Sequence, residues 1–226
     1  MQSFASIYQQ AADHHGGKAA LDQWIASMGY PVRTTEQLAA LEDRYMLAEL
    51  CRRVFRTGIR HAVVDAKWPA FEQAFFNFSP MRCAMMSDEE LEGQMQNEKI
   101  IRHLAKIVTV RENANMVVWL AREHGSFARF IADWPAEDII SLWDYLKKHG
   151  KRMGGNSGAR FLRMVGKDSF VLTDDVVVGL RRAGVIDKHA NSKRDRAKVQ
   201  EAFNSWAQES GLGLAQMSRI LACSIG

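Results

Sequence analysis

Apolar residues recur at three- and four-residue intervals along most of this chain, the spacing that gathers them on one face of a helix. Thr34 followed by Gln37 forms a capping box, and Leu38, Leu41, Tyr45, Leu47, Leu50 and Val54 predict one helix from there. After a bend at Gly58 the pattern resumes over residues 62–66, then over 68–78, an aromatic-rich stretch closed by Ser79-Pro80. Ser87 with Glu90 makes a second capping box. Beyond Asn97, Ile100, Ile101, Leu104, Ile107, Val108, Val117 and Val118 mark a long buried stripe, with Arg102, His103 and Lys106 on its more polar side, where they would support a cleft. Phe127, Phe130, Ile131 and Trp134 lead to Pro135, and Ile139, Ile140, Leu142 and Leu146 line the next helix. Residues 1–28 carry helical patches interrupted by His14-His15-Gly16-Gly17, and Gly29-Tyr30-Pro31 breaks the chain. The fold class is all-α. Helices at 176–180 and 214–223 complete it, with Ala202, Phe203 and Trp206 as a packing face.

The segment from Leu146 to Asp175 departs from this regularity. A basic helix end at Lys147, Lys148 and His149 meets the glycines Gly150, Gly154, Gly155 and Gly158, and a helix follows over Ser157–Val165. Glycine lets the backbone take positive φ and approach a ligand closely, and free amides at a helix start attract phosphate. Thr173, Asp174 and Asp175 then read as the cap and first turn of another helix, where the helix dipole alone is enough to favour acids.

Charge sharpens this picture. The chain has 226 residues and a net charge of +4, with fourteen Lys and Arg against five Asp between positions 146 and 198. That balance of +9 leaves −5 elsewhere, a one-sided footprint suited to a polyanion. No apolar run reaches the roughly eighteen residues of a membrane span, and no signal layout opens the chain, so a cytoplasmic protein without membrane association is expected. The three cysteines, Cys51, Cys83 and Cys223, show no CxxC spacing, and neither a disulfide framework nor an iron–sulfur cluster is expected.

The hairpin at residues 146–166 resembles that of the helix-hairpin-helix DNA glycosylase superfamily, and Leu146-Lys147-Lys148-His149-Gly150 is similar to bacterial 3-methyladenine DNA glycosylase I. Ile100-Ile101-Arg102-His103, Lys106-Ile107 and Asn113-Ala114 resemble a second segment of that family. The resemblance implies two helical lobes with a cleft between them, with residues 1–33 and about 184–226 forming a terminal lobe and 34–183 the central region of a single glycosylase-like unit. It implies a monomer acting on double-stranded DNA that carries a damaged base, with an alkylated, 3-methyladenine-like base excised during base-excision repair. Lys151, Arg152, Gly154, Gly155, Asn156, Ser157 and Gly158 would hold the DNA backbone, and carbonyls of such a hairpin can bind a monovalent cation. Asp175, with Asp174 beside it, falls at the superfamily's catalytic aspartate. Bifunctional relatives place a nucleophilic lysine where this chain has Ser157, which implies a monofunctional enzyme without lyase activity. The family's base-recognition motif, Glu-Gly-x-Gln-Ala-Gly-Leu-Ser-Trp, is represented by Gly58 and the apolar Ile59, with Arg53 at the acid position and His61 at the tryptophan position. Tyr45, Glu49, Arg53, Phe55 and His61 are the base-pocket candidates. The family often carries a zinc held by Cys and His near its termini, and no such metal is expected here. Two alternatives remain open: a non-catalytic DNA-binding protein that keeps the hairpin, or a glycosylase for a different modified base.

Overall fold

The computed structural model describes residues 1–27 and 31–226, so Gly29 and Tyr30 of the expected chain break lie outside the described residues. Among those described there are helices and no strand, in keeping with the all-α reading. In order they are α1 (Phe4–His14), α2 (Lys18–Ser27), α3 (Thr35–Ala39), α4 (Asp43–Arg56), α5 (His61–Ala66), α6 (Trp68–Ala74), α7 (Pro80–Ala84) and α8 (Asp88–Gly93). There follow α9 (Leu104–His124), α10 (Phe127–Asp133), α11 (Ile139–His149), α12 (Ser157–Val165), α13 (Asp174–Arg182), α14 (Lys193–Ser210) and α15 (Leu214–Cys223). No helix among the described residues is long and apolar enough to cross a membrane.

Two compact units divide the chain, one of Met1–Val32, Pro135–Leu142 and Asp168–Gly226, the other of Arg33–Trp134 and Trp143–Lys167. Residues 135–142 and 168–183 thus group with the terminal helices, whereas the sequence reading drew 34–183 as one region.

In the unit of Arg33–Trp134 and Trp143–Lys167, α9 is the central helix, packed by α4, α7 and α10, while α12 lies on α4. The Thr34 capping box forms, its hydroxyl accepting from the Gln37 amide at 3.2 Å while the Gln37 carbonyl oxygen accepts from the Thr34 amide at 3.0 Å. The single helix expected beyond it is instead two. The break lets α3 turn onto α10, where Asp43 accepts the Ala128 amide at 3.0 Å and caps the α10 start. The expected helix over 68–78 also stops early, because Phe76, Asn77 and Phe78 take φ of 52°, 51° and 53°. That left-handed turn carries Phe78 inward, where its ring stacks on Trp68 at 5.1 Å and lies 5.8 Å from Phe75. Phe55 and Phe71 complete the cluster with centroids 4.5 Å apart. α9 starts only at Leu104, leaving Arg102 and His103 exposed ahead of it. Lys106, expected on the polar side, is buried, and its ammonium donates to the carbonyls of Phe55 at 3.0 Å and Thr57 at 2.6 Å. It closes the C-terminal end of α4, where orphan carbonyls favour a cation.

In the unit of the two chain ends, α15 packs on α1, α2, α13 and α14. Phe170 stacks on Phe203 at 4.1 Å, and Trp206 lies 5.5 Å from Phe203 and 5.9 Å from Phe4. Glu209 accepts the amides of Phe4 and Ala5 at 2.9 and 3.0 Å, and these bonds hold its carboxyl below the usual range. Asp168 caps α15 through the amides of Leu214 and Ala215, both at 2.8 Å.

Candidate nucleic-acid interface

The α11–α12 hairpin is held tightly from below. Gly150 has its amide 2.8 Å from the Leu146 carbonyl, and a Cβ there would sit 2.8 Å from that same oxygen and 2.9 Å from Met153 Cγ, so glycine is required by close approach. Asn113 of α9 is fully buried and meets the next peptide with both ends of its amide. Its oxygen accepts from the Lys151 amide at 2.7 Å, and its nitrogen donates to the Lys151 carbonyl at 3.3 Å. Sequence reading had singled out Asn113 only through family resemblance. Two left-handed residues, Arg152 at φ 59° and Gly155 at φ 58°, then reverse the chain, and Met153 is buried between them.

This turn delivers the start of α12. Asn156 occupies the N-cap position without a capping bond from its side chain. Ser157 and Gly158 are buried, and an added Cβ at Gly158 would be 3.5 Å from the Met153 carbonyl and 3.8 Å from Leu146 Cβ. Gly154 and Asn156 are half-buried and Gly155 exposed, so the glycine turn itself is the accessible part. The two basic residues expected to help are also on the surface. Lys151 pairs with Glu112 at 3.6 Å, while Arg152 donates from Nε to the Ala105 carbonyl at 3.2 Å.

The base-pocket candidates separate into three places. Phe55 is fully buried against Phe71 and belongs to the core. Glu49 is buried on α4 and paired with Arg52 at 2.7 Å, while Arg52 lies over the Trp68 ring at 4.4 Å. Burial pushes the Glu49 carboxyl above its ordinary range; Arg52 and Arg56 pull it back, and Asp65 adds to the rise. Tyr45 shares that neighbourhood, its phenol raised by burial and then by Glu49, with Arg33 and Arg52 acting the other way. Tyr45 also lines a 530 Å³ surface hollow with Leu41, Ala48, Glu72, Asn77 and Phe78.

Because the folded state holds the Glu49 proton more strongly than the unfolded chain, its contribution to stability is fully present below the unfolded value and is lost as pH rises through the folded one. Glu49→Gln should therefore gain on wild type in Tm as pH is raised from about 4 to about 7. Paired melting curves check this, and a constant gap between the proteins would refute it.

Arg53 and His61 form the third place. Arg53 is half-buried on α4, its Nε buried with no hydrogen-bond partner. Burial, then Arg160 and Arg56, lower the affinity of its guanidinium for the proton. His61 is exposed at the start of α5, its imidazole lowered by desolvation, then by Arg56 and Arg53, with Asp65 opposing and Arg160 adding to the fall. Arg160, on the first exposed turn of α12, was not singled out by sequence. Its 107-residue separation from Arg53 hides the pairing.

In the unit of the chain ends, Thr173 caps α13 by accepting from the Val176 amide at 3.3 Å, and Asp174 and Asp175 occupy the first turn, both exposed. The preceding Phe170-Val171-Leu172 is irregular, with the Val171 amide donating to Ser218 Oγ at 3.3 Å. The ends also bring His14 to Cys223, a proximity invisible in sequence. The ring Nδ1 lies 3.3 Å from the Cys223 carbonyl oxygen. Burial, and then Asp175, push the Cys223 thiol up to about 11. A zinc site needs a thiolate and several converging donors, so these residues do not fit one. Among the described residues no group of three His, Cys, Asp or Glu is placed to hold a metal.

Among the described residues the fold is all-helical, with a glycine hairpin whose following helix start lacks a side-chain cap, an arrangement of backbone amides and basic residues able to meet a polyanion. The methyladenine glycosylase family matches residues 37–192, and the chain belongs to that family. A DNA-3-methyladenine glycosylase of Haemophilus influenzae is 26% identical over 90 residues, covering 40% of this chain and 49% of that protein. The chain thus matches about half the length of this curated relative. The crystal structure of a 3-methyladenine DNA glycosylase I is similar with a TM-score of 0.51 and 24% identity, over 65% of this chain and 88% of that one. An 8-oxoguanine glycosylase/lyase of Methanocaldococcus jannaschii, solved with a 15mer DNA containing 8-oxoguanine, gives 0.52 at 16% identity, over 96% and 95% of the two chains. These likenesses place the fold among the all-helical DNA glycosylases.

Proposed function

We propose that the protein is a monofunctional DNA glycosylase that extrudes and excises a damaged, alkylated base of the 3-methyladenine type. What supports this most is the Asn113-anchored hairpin, a rigid turn with accessible backbone ahead of an uncapped helix, in a chain of the methyladenine glycosylase family. The amides would hold the sugar–phosphate chain beside the lesion, and the target base would leave the stack at a cost of a few kcal/mol. Ser157, at the position of the lyase nucleophile, is buried and carries no amine, so hydrolysis would leave an abasic site rather than a Schiff base.

Incubation with alkylated genomic DNA followed by chromatography of the released bases tests the proposal. A methylated purine should appear, and borohydride should trap no protein–DNA adduct. Tight DNA binding with no released base would instead favour the non-catalytic reading, which Arg53 and His61 at the acid and tryptophan positions of the resembled motif keep in view. An adduct in good yield would contradict the monofunctional assignment.

A further inference from the structure

α4 and α12 bring guanidiniums together within one compact unit, and α5 adds the His61 imidazole. Arg56 is held bidentately by Asp65, at 2.6 and 2.8 Å, and its Nη1 lies 4.0 Å from Met164 Sδ on α12. It is therefore fixed between the two helices and partly neutralised. Among the described residues Arg53 and Arg160 form no ion pair, and the buried Nε of Arg53 has no acceptor. α12 packs on α4, and burial, then the Arg160 and Arg56 charges, lower the Arg53 guanidinium.

A half-buried guanidinium with an unused donor beside a second one is costly in the free protein. The arrangement gains when an anion arrives. A neutral base edge would supply acceptors but leave the repulsion, and a cationic alkylated base would add to it. Only an anionic oxygen group meets both needs, and it matches the geometry that arginine forks recognise.

We propose that Arg53 and Arg160, with His61 at the rim, bind one backbone phosphate of DNA, a second anchor beside the α11–α12 hairpin. This rests on the DNA-binding part of the proposed function and adds to it that the family's base-recognition positions serve the backbone in this chain.

The test is duplex binding, with an abasic-site analogue at the centre, measured across salt for wild type, Arg53→Met, Arg160→Gln, their double variant and the α10 surface control Arg129→Gln. Each single variant should weaken binding and flatten the log-affinity against log-salt slope by part of one phosphate, since the remaining arginine still faces it, and the double variant should flatten it by about 0.9, the value for one phosphate. Arg53→Met, which keeps the packed stem and removes the unpaired charge, should also raise Tm while weakening binding, a combination that a merely structural arginine does not give. Arg129→Gln should match wild type. If wild type binds with a steep slope and Arg160→Gln, an exposed position that folds without difficulty, leaves it unchanged, the second anchor is wrong and DNA binding stands. A drop of two phosphates in the double variant overturns the shared site. If wild type shows no salt-dependent binding, the DNA reading fails, and the anchor with it.

Discussion

Asn113→Ala is expected to lose about 2–4 kcal/mol of folding stability, and in the protein that still folds to weaken duplex binding by more than about tenfold. The side chain is fully buried and bonds both polar groups of the Lys151 backbone, so truncation removes two part-buried hydrogen bonds and leaves a cavity under the turn. Each such loss costs roughly 1–3 kcal/mol. The damage falls at the first residue of the turn, next to Gly150, whose backbone is already at the limit of approach to Leu146. A turn released there no longer fixes the left-handed Arg152 and Gly155, and the amides ahead of α12 lose their orientation. Urea unfolding measures the first effect as a lower midpoint at unchanged m, and fluorescence anisotropy well below Tm measures the second. Asn113→Asp separates the parts, since it keeps the acceptor for the Lys151 amide and removes the donor. Wild-type binding by a folded Asn113→Ala protein would show that the hairpin is held by other contacts.

What the sequence disclosed and what it concealed follow from the range of the interactions. Caps act within a few residues, so Thr34 with Gln37, Ser87 with Glu90, and Thr173 before its acids could all be read directly, and each forms. Glycines needed by a turn are equally local, and Gly150 and Gly155 stood out for that reason. The helix break at residues 40–42 was concealed because its cause is tertiary, α3 turning onto α10 and Asp43 capping Ala128. Phe76-Asn77-Phe78 is an extreme case. Three consecutive left-handed residues without a glycine oppose local preference by roughly 1–2 kcal/mol each, and the full burial of Phe75 and Phe78 together with the stacking of Phe78 on Trp68 works against that cost. The candidate site shows the same division. Its hairpin was legible, whereas the buried duty of Lys106 on α4, the Asn113 bond to Lys151 and the Arg53–Arg160 cluster each join positions dozens of residues apart.

Asp175→Asn is expected to slow base release by about 10²–10³-fold while leaving stability nearly unchanged. Cleavage of the bond between base and sugar makes the sugar electron-poor, and a fixed carboxylate facing it lowers the barrier by stabilising that charge as it develops. Asparagine has nearly the same shape and removes only the charge. The helix start survives the change, because Thr173 supplies the cap at 3.3 Å from the Val176 amide and Asp174 remains as an acid in the first turn. Two features make Asp175 the better candidate of the pair. The family resemblance puts it at the superfamily's catalytic position, and it stands on the first turn of α13, a helix packed on α15. That contact is tight, with Gly179 leaving only 2.7 Å between an added Cβ and Leu221 Cγ, and a rigid base under the acid is what electrostatic stabilisation needs. Single-turnover release of methylated base from an alkylated duplex, with Asp174→Asn as the neighbouring control, measures the effect. A large loss in Asp175→Asn beside a small one in Asp174→Asn assigns the role to the second acid. Equal, near wild-type rates in both would remove these carboxylates from the chemistry and leave the helix start as their whole purpose.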